Sequence, residues 1–310
     1  MDLRQLRYFV AIVDAGSMAR AAELIFVSQT SLSEHVKALE QILGTSLLER
    51  HPRGVRPTRA GRVLYEHANT ILKMQQVIVE EVKSCGDEAQ GTVSIGIPNT
   101  VSQILAAPLL EAVLTRFPGV KLCLVQGLSG ALERSLLDGK LDIALLFLTA
   151  LHPAERLSVT HLIDESMFVV IDRSRTPGRE VIRIAELENE LLFCPHPEHG
   201  LTKLIMAYAN LHVTTLRIGA EVDSLPAMIG AAIRRLGYAI LPGGVLIDSA
   251  LPSNVVLLPL DPPLSRPLSM CKPKLRLAGS AVLAVEAALI DVIGELVNSG
   301  EWKGVCPAPL

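Results

Sequence analysis

Between Gln29 and Gln41 the polar residues Thr30, Ser33, Glu34, Lys37 and Gln41 recur on one side of a 3.6-residue wheel. They offer hydroxyl, carboxylate, ammonium and amide groups, the chemistry needed to read donors and acceptors on base edges in a major groove. The opposite side carries Leu32, Val36, Leu39 and Leu43 at spacings of four, three and four, a single apolar stripe for a core. A second polar set follows a predicted strand at Thr92–Ile97. Asn99, Thr100, Ser102 and Gln103 open the next helix, where hydroxyls and side-chain amides beside free backbone N–H groups suit an anion or carboxylate. Thr149 ends another predicted strand, and Thr202 opens a helix after a loop that holds His196. Hydroxyl residues at helix starts also serve as plain caps, so either role fits them. In Cys194-Pro-His-Pro-Glu-His-Gly200 the pair His196 and His199 lies near Glu198, yet the loop lacks the spacing of common zinc sites. Prolines on both sides of His196 fit a rigid loop at a cleft edge. Neither a Gly-x-Ser-x-Gly nor a phosphate-loop pattern occurs, and the reading is of a protein that is not an enzyme and needs no metal or other cofactor.

The elements that must hold the first set are legible nearby. Ser17 to Arg50 reads as a helix–turn–helix: Ala21 and Ala22 permit a close helix crossing, Val27 closes a short turn, Ser28 caps the next helix and Gly44 ends it. Arg50 to Arg62 then places arginine at 50, 53, 56, 59 and 62 with no acid, punctuated by two prolines and two glycines. That composition suits a basic hairpin wing whose arginines meet phosphates or enter a minor groove. Ser28, Gln29, Thr30, Ser33, Glu34, Lys37, Arg50, Arg53, Arg56 and Thr58 are therefore the candidate DNA contacts. An ordinary amphipathic hairpin with a solvated face and a basic loop is the competing reading. It would make the chain a solute-binding or assembly protein whose helical N-terminus does not bind DNA.

Specific residues at fixed spacing favour the first reading. Met1 to Val10, Gly16-Ser17, Arg20-Ala-Ala-Glu23, Val27-Ser-Gln29, Leu32-Ser33, Leu39-Glu40, Leu47-Leu-Glu-Arg50 and Pro57-Thr-Arg-Ala-Gly61 resemble the N-terminal domain of LysR-type transcriptional regulators over about sixty residues. Arg53-Gly-Val-Arg-Pro-Thr58, Leu72, Gly91-Thr-Val-Ser-Ile-Gly-Ile97 and Leu136-Leu-Asp-Gly-Lys-Leu-Asp-Ile143 are most similar to its nitrogen-assimilation-control subgroup. The chain departs from the family at Thr30, where Pro is frequent, and at Glu34, where Arg or Gln is frequent, whereas Gln29, Ser33 and Lys37 follow it. The resemblance implies a sequence-specific regulator with effector contacts in loops of the C-terminal domain, possessing two α/β lobes of the periplasmic-binding-protein type.

Beyond the wing, Leu64, Ala68, Ile71, Gln75, Ile78 and Val82 alternate at four and three, the seam of a dimerising helix with one polar member. From Thr92 strands and helices alternate, which implies a largely parallel sheet with crossover helices. The fold expected is thus an N-terminal all-α winged helix–turn–helix with a long linker helix, then a C-terminal α/β two-lobe module. The divisions are 1–61 for the DNA-binding domain, 62–90 for the helix and hinge, 91–300 for the effector domain and 301–310 for a tail. Lobe I takes 91–163 and 266–300, lobe II takes 164–265, and the chain crosses between them near 160–164 and 264–268. The net charge of −3 is uninformative, but residues 1–62 hold nine Lys or Arg against six Asp or Glu. Five dispersed cysteines (85, 123, 194, 271 and 306) without an export signal or apolar span read as reduced thiols of a cytoplasmic protein. The partners expected are dyad-symmetric double-stranded DNA, a small anionic effector, RNA polymerase if the protein activates, and further copies of the chain as homodimer or homotetramer, with no membrane.

Overall fold

The computed structural model describes every residue except 52–53, 85–88, 149–154, 247–251, 275–277 and 308–310. Helix α1 (Leu3–Ala15) starts at a reciprocal cap, in which Gln5 N donates to Asp2 Oδ1 at 2.8 Å and Asp2 N to Gln5 Oε1 at 2.9 Å. Helix α2 (Met18–Leu24) is capped by Ser17, and α3 (Gln29–Leu43) by Ser28, whose Oγ accepts from Ser31 N at 3.1 Å. Ile12, Ala21 and Leu32 meet with no exposure, the small alanine letting α2 approach α3 as its residue type implies. Strands β1 (Leu48–His51) and β2 (Gly54–Pro57) form the antiparallel wing. The wing is docked rather than free: Val55 N donates to Gly16 O at 2.8 Å. That approach requires Gly54, with φ of 128°, because a Cβ there would lie 2.2 Å from Gly16 O.

Helix α4 (Arg59–Ser84) runs for 26 residues, roughly 39 Å at 1.5 Å per residue. The seam divides along it. Ala68 is fully buried and Leu64 packs with Phe9, Leu39, Leu47 and Tyr65, so the first turns belong to the N-terminal core. Ile71, Ile78 and Val82 remain 41%, 53% and 65% exposed in the single chain.

The C-terminal module begins with β3 (Gly91–Pro98), α5 (Asn99–Arg116), β4 (Val120–Gly127), α6 (Ser129–Leu137) and β5 (Ile143–Phe147), with β3 parallel to both β4 and β5. Strand β6 (Leu157–Asp172) is 16 residues long and serves both lobes. Residues 157–166 pair with β11 (Ser265–Pro273), and 167–172 pair with β9 (Ala239–Pro242) and β10 (Val255–Pro259). Between them lie β7 (Leu191–Cys194), α7 (Gly200–Leu211), β8 (Arg217–Glu221) and α8 (Leu225–Ile233), and after β11 come α9 (Ser280–Asn298) and β12 (Val305–Pro307). The first change of sheet therefore falls at Ser166–Met167, a few residues beyond the expected 160–164. The polar, half-exposed stretch 157–162 is paired strand and not linker. Separate cores fill the two lobes, around Ile95, Leu105 and Leu289 in one and Val169, Leu192 and Ile240 in the other. The last residues also carry structure, since β12 adds to β6 with Val305 opposite Glu165.

The linker helix and the first lobe are joined by charge. Lys73 Nζ lies 3.1 Å from Asp142 Oδ2, their side chains 18% and 3% exposed, and donates to Thr92 O at 3.5 Å. Asp142 also accepts from Ser94 N at 2.9 Å. Nearer the DNA-binding end, Asp14 accepts from Tyr65 Oη at 2.5 Å and pairs with Lys140 at 2.8 Å, while Glu66 meets Arg156 at 2.7 Å. Burial opposes the charge on Lys140, but its hydrogen bonds to Asp14 and Tyr65 outweigh that and hold its pKa above the usual lysine range. Removing one partner of a buried pair leaves an uncompensated charge, so Lys73→Met should destabilise the protein by about 3–5 kcal/mol. Arg156→Ala, at a more exposed pair, should cost about 0–1 kcal/mol. Calorimetric unfolding of the two variants tests that order, and equal effects would refute burial as the cause.

Candidate DNA-recognition face and inter-lobe cleft

Burial of Leu32, Val36 and Leu39 against α1 and α2 turns the other side of α3 outward. Gln29, Thr30, Glu34, Lys37 and Gln41 are exposed and Ser33 is half-buried on that side. Leu43, the expected end of the stripe, is exposed instead, because Gly44 ends the helix in a left-handed turn just after it. His35 packs edge-on to Tyr8 with ring centroids 4.9 Å apart, so it belongs to the scaffold. Ser28 uses its hydroxyl as the cap of α3. Thr58 is likewise committed, its Oγ1 donating to Ser46 O at 2.8 Å and accepting from Gly61 N at 3.0 Å, and it thereby starts α4. In the wing, Arg56 is exposed opposite Glu49, and Arg50 sits opposite Val55 in β1. Arg53 lies outside the described residues.

The second set converges only in part. Thr100 and Ser102 lie in the first turn of α5, whose N-cap position is Pro98, so no side chain caps the first amides. Ser102 is buried and accepts from Gln126 Nε2, whereas Asn99 and Gln103 are exposed. Thr202 is buried with its Oγ1 donating to Pro195 O at 2.9 Å, which braces the His196 loop. His196 is half-buried, its backbone N–H donating to Asp223 Oδ1 at 3.3 Å and its ring 6.0 Å from that of His199. Thr149 lies outside the described residues. Glu198 turns away to Lys203 at 2.6 Å, and among the described residues no three His, Cys, Asp or Glu side chains are grouped to hold a metal ion.

The sequence reading missed the centre of this region. Arg266, at the start of β11, donates through Nη2 to Thr100 Oγ1 at 3.0 Å. Its Nε and Nη2 also donate to Glu165 Oε2 at 3.0 and 2.7 Å, and its guanidinium carbon lies 3.5 Å from the centre of the Phe147 ring. Trp302 Nε1 donates to the other oxygen of Glu165 at 3.3 Å. His199 caps α7 by accepting from Leu201 N at Nδ1, 3.1 Å away. Burial first, then the positive charge of Arg266, lowers its pKa, so the ring is neutral with its proton on Nε2. Charged residues 101 positions apart in sequence carry no local signal of pairing. The Ser265-Arg-Pro267 triplet reads simply as a proline-marked crossing.

A winged helix–turn–helix carried on a helix above a two-lobed α/β module is the architecture of a DNA-binding regulator with an attached sensor. The family described as bacterial regulatory helix–turn–helix protein, lysR family, matches residues 3–62, and the LysR substrate binding domain matches residues 86–294. The nitrogen assimilation regulatory protein nac of Klebsiella aerogenes is 35% identical over 78% of each chain. Among solved structures, ArgP from Mycobacterium tuberculosis aligns over 94% of this chain and 97% of its own with a TM-score of 0.74 at 20% identity. A full-length OxyR variant from Pseudomonas aeruginosa aligns over 94% of both chains at 0.73 and 24%. At those identities the structural likeness is one of fold. The chain belongs to the LysR family of transcriptional regulators.

The outward face of α3 generates a residue-level expectation. Lys37→Ala should weaken binding to all DNA sequences alike if it meets phosphate, and Ser33→Ala should erode discrimination by about 1–3 kcal/mol if it meets a base edge. Binding curves on operator and scrambled duplexes separate the two. Wild-type behaviour in both variants would show that another face of α3 is used.

Proposed function

We propose that this regulator binds dyad-symmetric double-stranded DNA, with α3 in the major groove and the wing on the flanking backbone. The observation that carries this reading is the outward polar face of α3 beside a wing docked at Gly16. Gln29, Ser33 and Lys37 follow the family pattern on that face, while Thr30 and Glu34 provide this chain's own readout. Glu34 accepts only, which suits a cytosine amino group and is unfavourable beside phosphate. Ser28 and Thr58 contribute through the helix starts they cap, and Arg50, Arg53 and Arg56 supply phosphate or minor-groove contacts.

Two half-sites require two copies, and the uncovered Ile71, Ile78 and Val82 of α4 support a homodimer or homotetramer built on that helix. The divisions at residues 61 and 90, with two lobes from 91 onward, are part of this reading, whereas the segment after 300 goes with the first lobe, because Trp302 and Val305 pack into its core. The C-terminal module is assigned to sensing a small effector in the region of Thr100, Ser102, Gln103, Thr149, His196 and Thr202, with Asn99 at its rim. The similarity to the nac protein supports a role in nitrogen assimilation, with RNA polymerase as a partner if the protein activates. The protein is read as a cytoplasmic non-enzyme; no helix of the described residues is long and apolar enough to cross a membrane.

Binding of the full-length protein to its operator should fall linearly on a log–log plot against salt, with a slope of about −0.9 per neutralised phosphate. Arg56→Ala should reduce the slope by about one unit. The double variant Ile71→Glu, Ile78→Glu should give monomers by light scattering and lose tight operator binding. DNA binding that is absent or insensitive to salt in the wild type would overturn this reading.

A further inference from the structure

Arg266 lies at the start of β11, beside the point where β6 passes from one sheet to the other. Its side chain is 8% exposed, and Glu165, which holds it, is 1% exposed. Nε and Nη2 are engaged by Glu165 and Thr100, and the Phe147 ring covers one face of the guanidinium. Among the described residues Nη1 has no acceptor, although the rest of the group is held on three sides. A guanidinium held in that way has Nη1 left as its one pre-organised donor nitrogen.

We propose that Arg266 Nη1 is the anion-reading group of the effector site and takes a single carboxylate of a small effector. The inference rests on the effector-sensing reading above and names its chemistry. Glu165 already neutralises Arg266, so each further negative charge placed there meets repulsion in a poorly solvated site. The site therefore favours a monoanionic carboxylate over a dianion such as sulfate, and Glu165 is the residue that sets the preference.

The chain carries its own reporter. Trp302 is its one tryptophan, buried, and bonded to the Glu165 oxygen that Arg266 does not use. A ligand drawn to Arg266 alters the charge beside the indole two hydrogen bonds away. Full-length protein is titrated with sodium acetate, propionate, pyruvate and sulfate at constant ionic strength, with Trp302 fluorescence as the readout and operator binding measured alongside. A saturable change with at least one carboxylate, and weaker or no response to sulfate, is expected in the wild type. Arg266→Gln should weaken the response about ten-fold or more, the scale of a lost charge-assisted hydrogen bond. Glu165→Gln should tighten it and admit sulfate, a change of sign that a purely structural role would not produce. Because either single change leaves a buried charge without its partner, Glu165→Gln with Arg266→Gln is made as well. This double variant removes both charges together and should also lose the response.

An unchanged response in the Arg266→Gln or the double variant would overturn the assignment. So would the absence of any response in a wild type that still binds its operator, and there the regulator reading stands. Loss of operator binding by the wild type would instead sink that reading.

Discussion

Glu165 is a buried carboxylate on which three distant parts of the chain depend. It lies near the midpoint of β6, just before that strand leaves one sheet for the other. One of its oxygens takes the guanidinium of Arg266 from the returning strand β11, and the other takes the indole of Trp302 from the C-terminal segment. A carboxylate so far from water is tolerated only when its charge is paired and its lone pairs are filled, and both conditions are met here. Breaking such a pair from one side costs about 3–5 kcal/mol, a large share of a domain's net stability. The two crossings and the tail are thus tied to one point. The cleft edge is tied there too, since Thr100 and Phe147 both contact the Arg266 that Glu165 holds.

From that point two strands lead back to the linker helix. β3 begins near Thr92 and Ser94, which meet Lys73 and Asp142, and ends at Pro98, two residues before Thr100. β5 follows Asp142 and ends at Phe147, which lies against Arg266. Adjacent hydrogen-bonded strands in a packed core transmit displacement as rigid elements. The Arg266 site and the docking of α4 thus lie at opposite ends of the same two strands.

The N-terminal unit illustrates how one residue type serves scaffold and function at adjacent positions. Ser28 and Ser33 share a helix, yet the first closes the helix start and the second stands on the outward face. Thr58 follows the wing, where Arg56 is exposed, but its hydroxyl is fully occupied in starting α4. Composition alone cannot separate such roles, since a hydroxyl beside an arginine looks the same whether it faces phosphate or a helix terminus.

What the sequence by itself determined is whatever depends on neighbours along the chain. The 3.6-residue stripe of Leu32, Val36 and Leu39, the cap at Ser28 and the glycine at 44 are local, and α3 follows from them. The alternating strands and helices from Thr92 onward were legible for the same reason, but the parallel pairing expected of them holds only for β3 with β4 and β5 and for β7 with β8, whereas β6 and β11 pair antiparallel. Tertiary structure alone decided the rest. The crossing expected at 160–164 falls at Ser166–Met167, because 157–166 pair with β11, a partner more than 90 residues away in sequence. Leu64 and Ala68 share a periodicity with Ile71 and Ile78, but contact with Phe9 and Leu39 assigns the first two to the core and leaves the others uncovered. Arg266 and Glu165 stand 101 residues apart, and Thr100 and Arg266 166 apart. Their pairing exists only because two crossing strands pass side by side, and no residue spacing encodes that proximity.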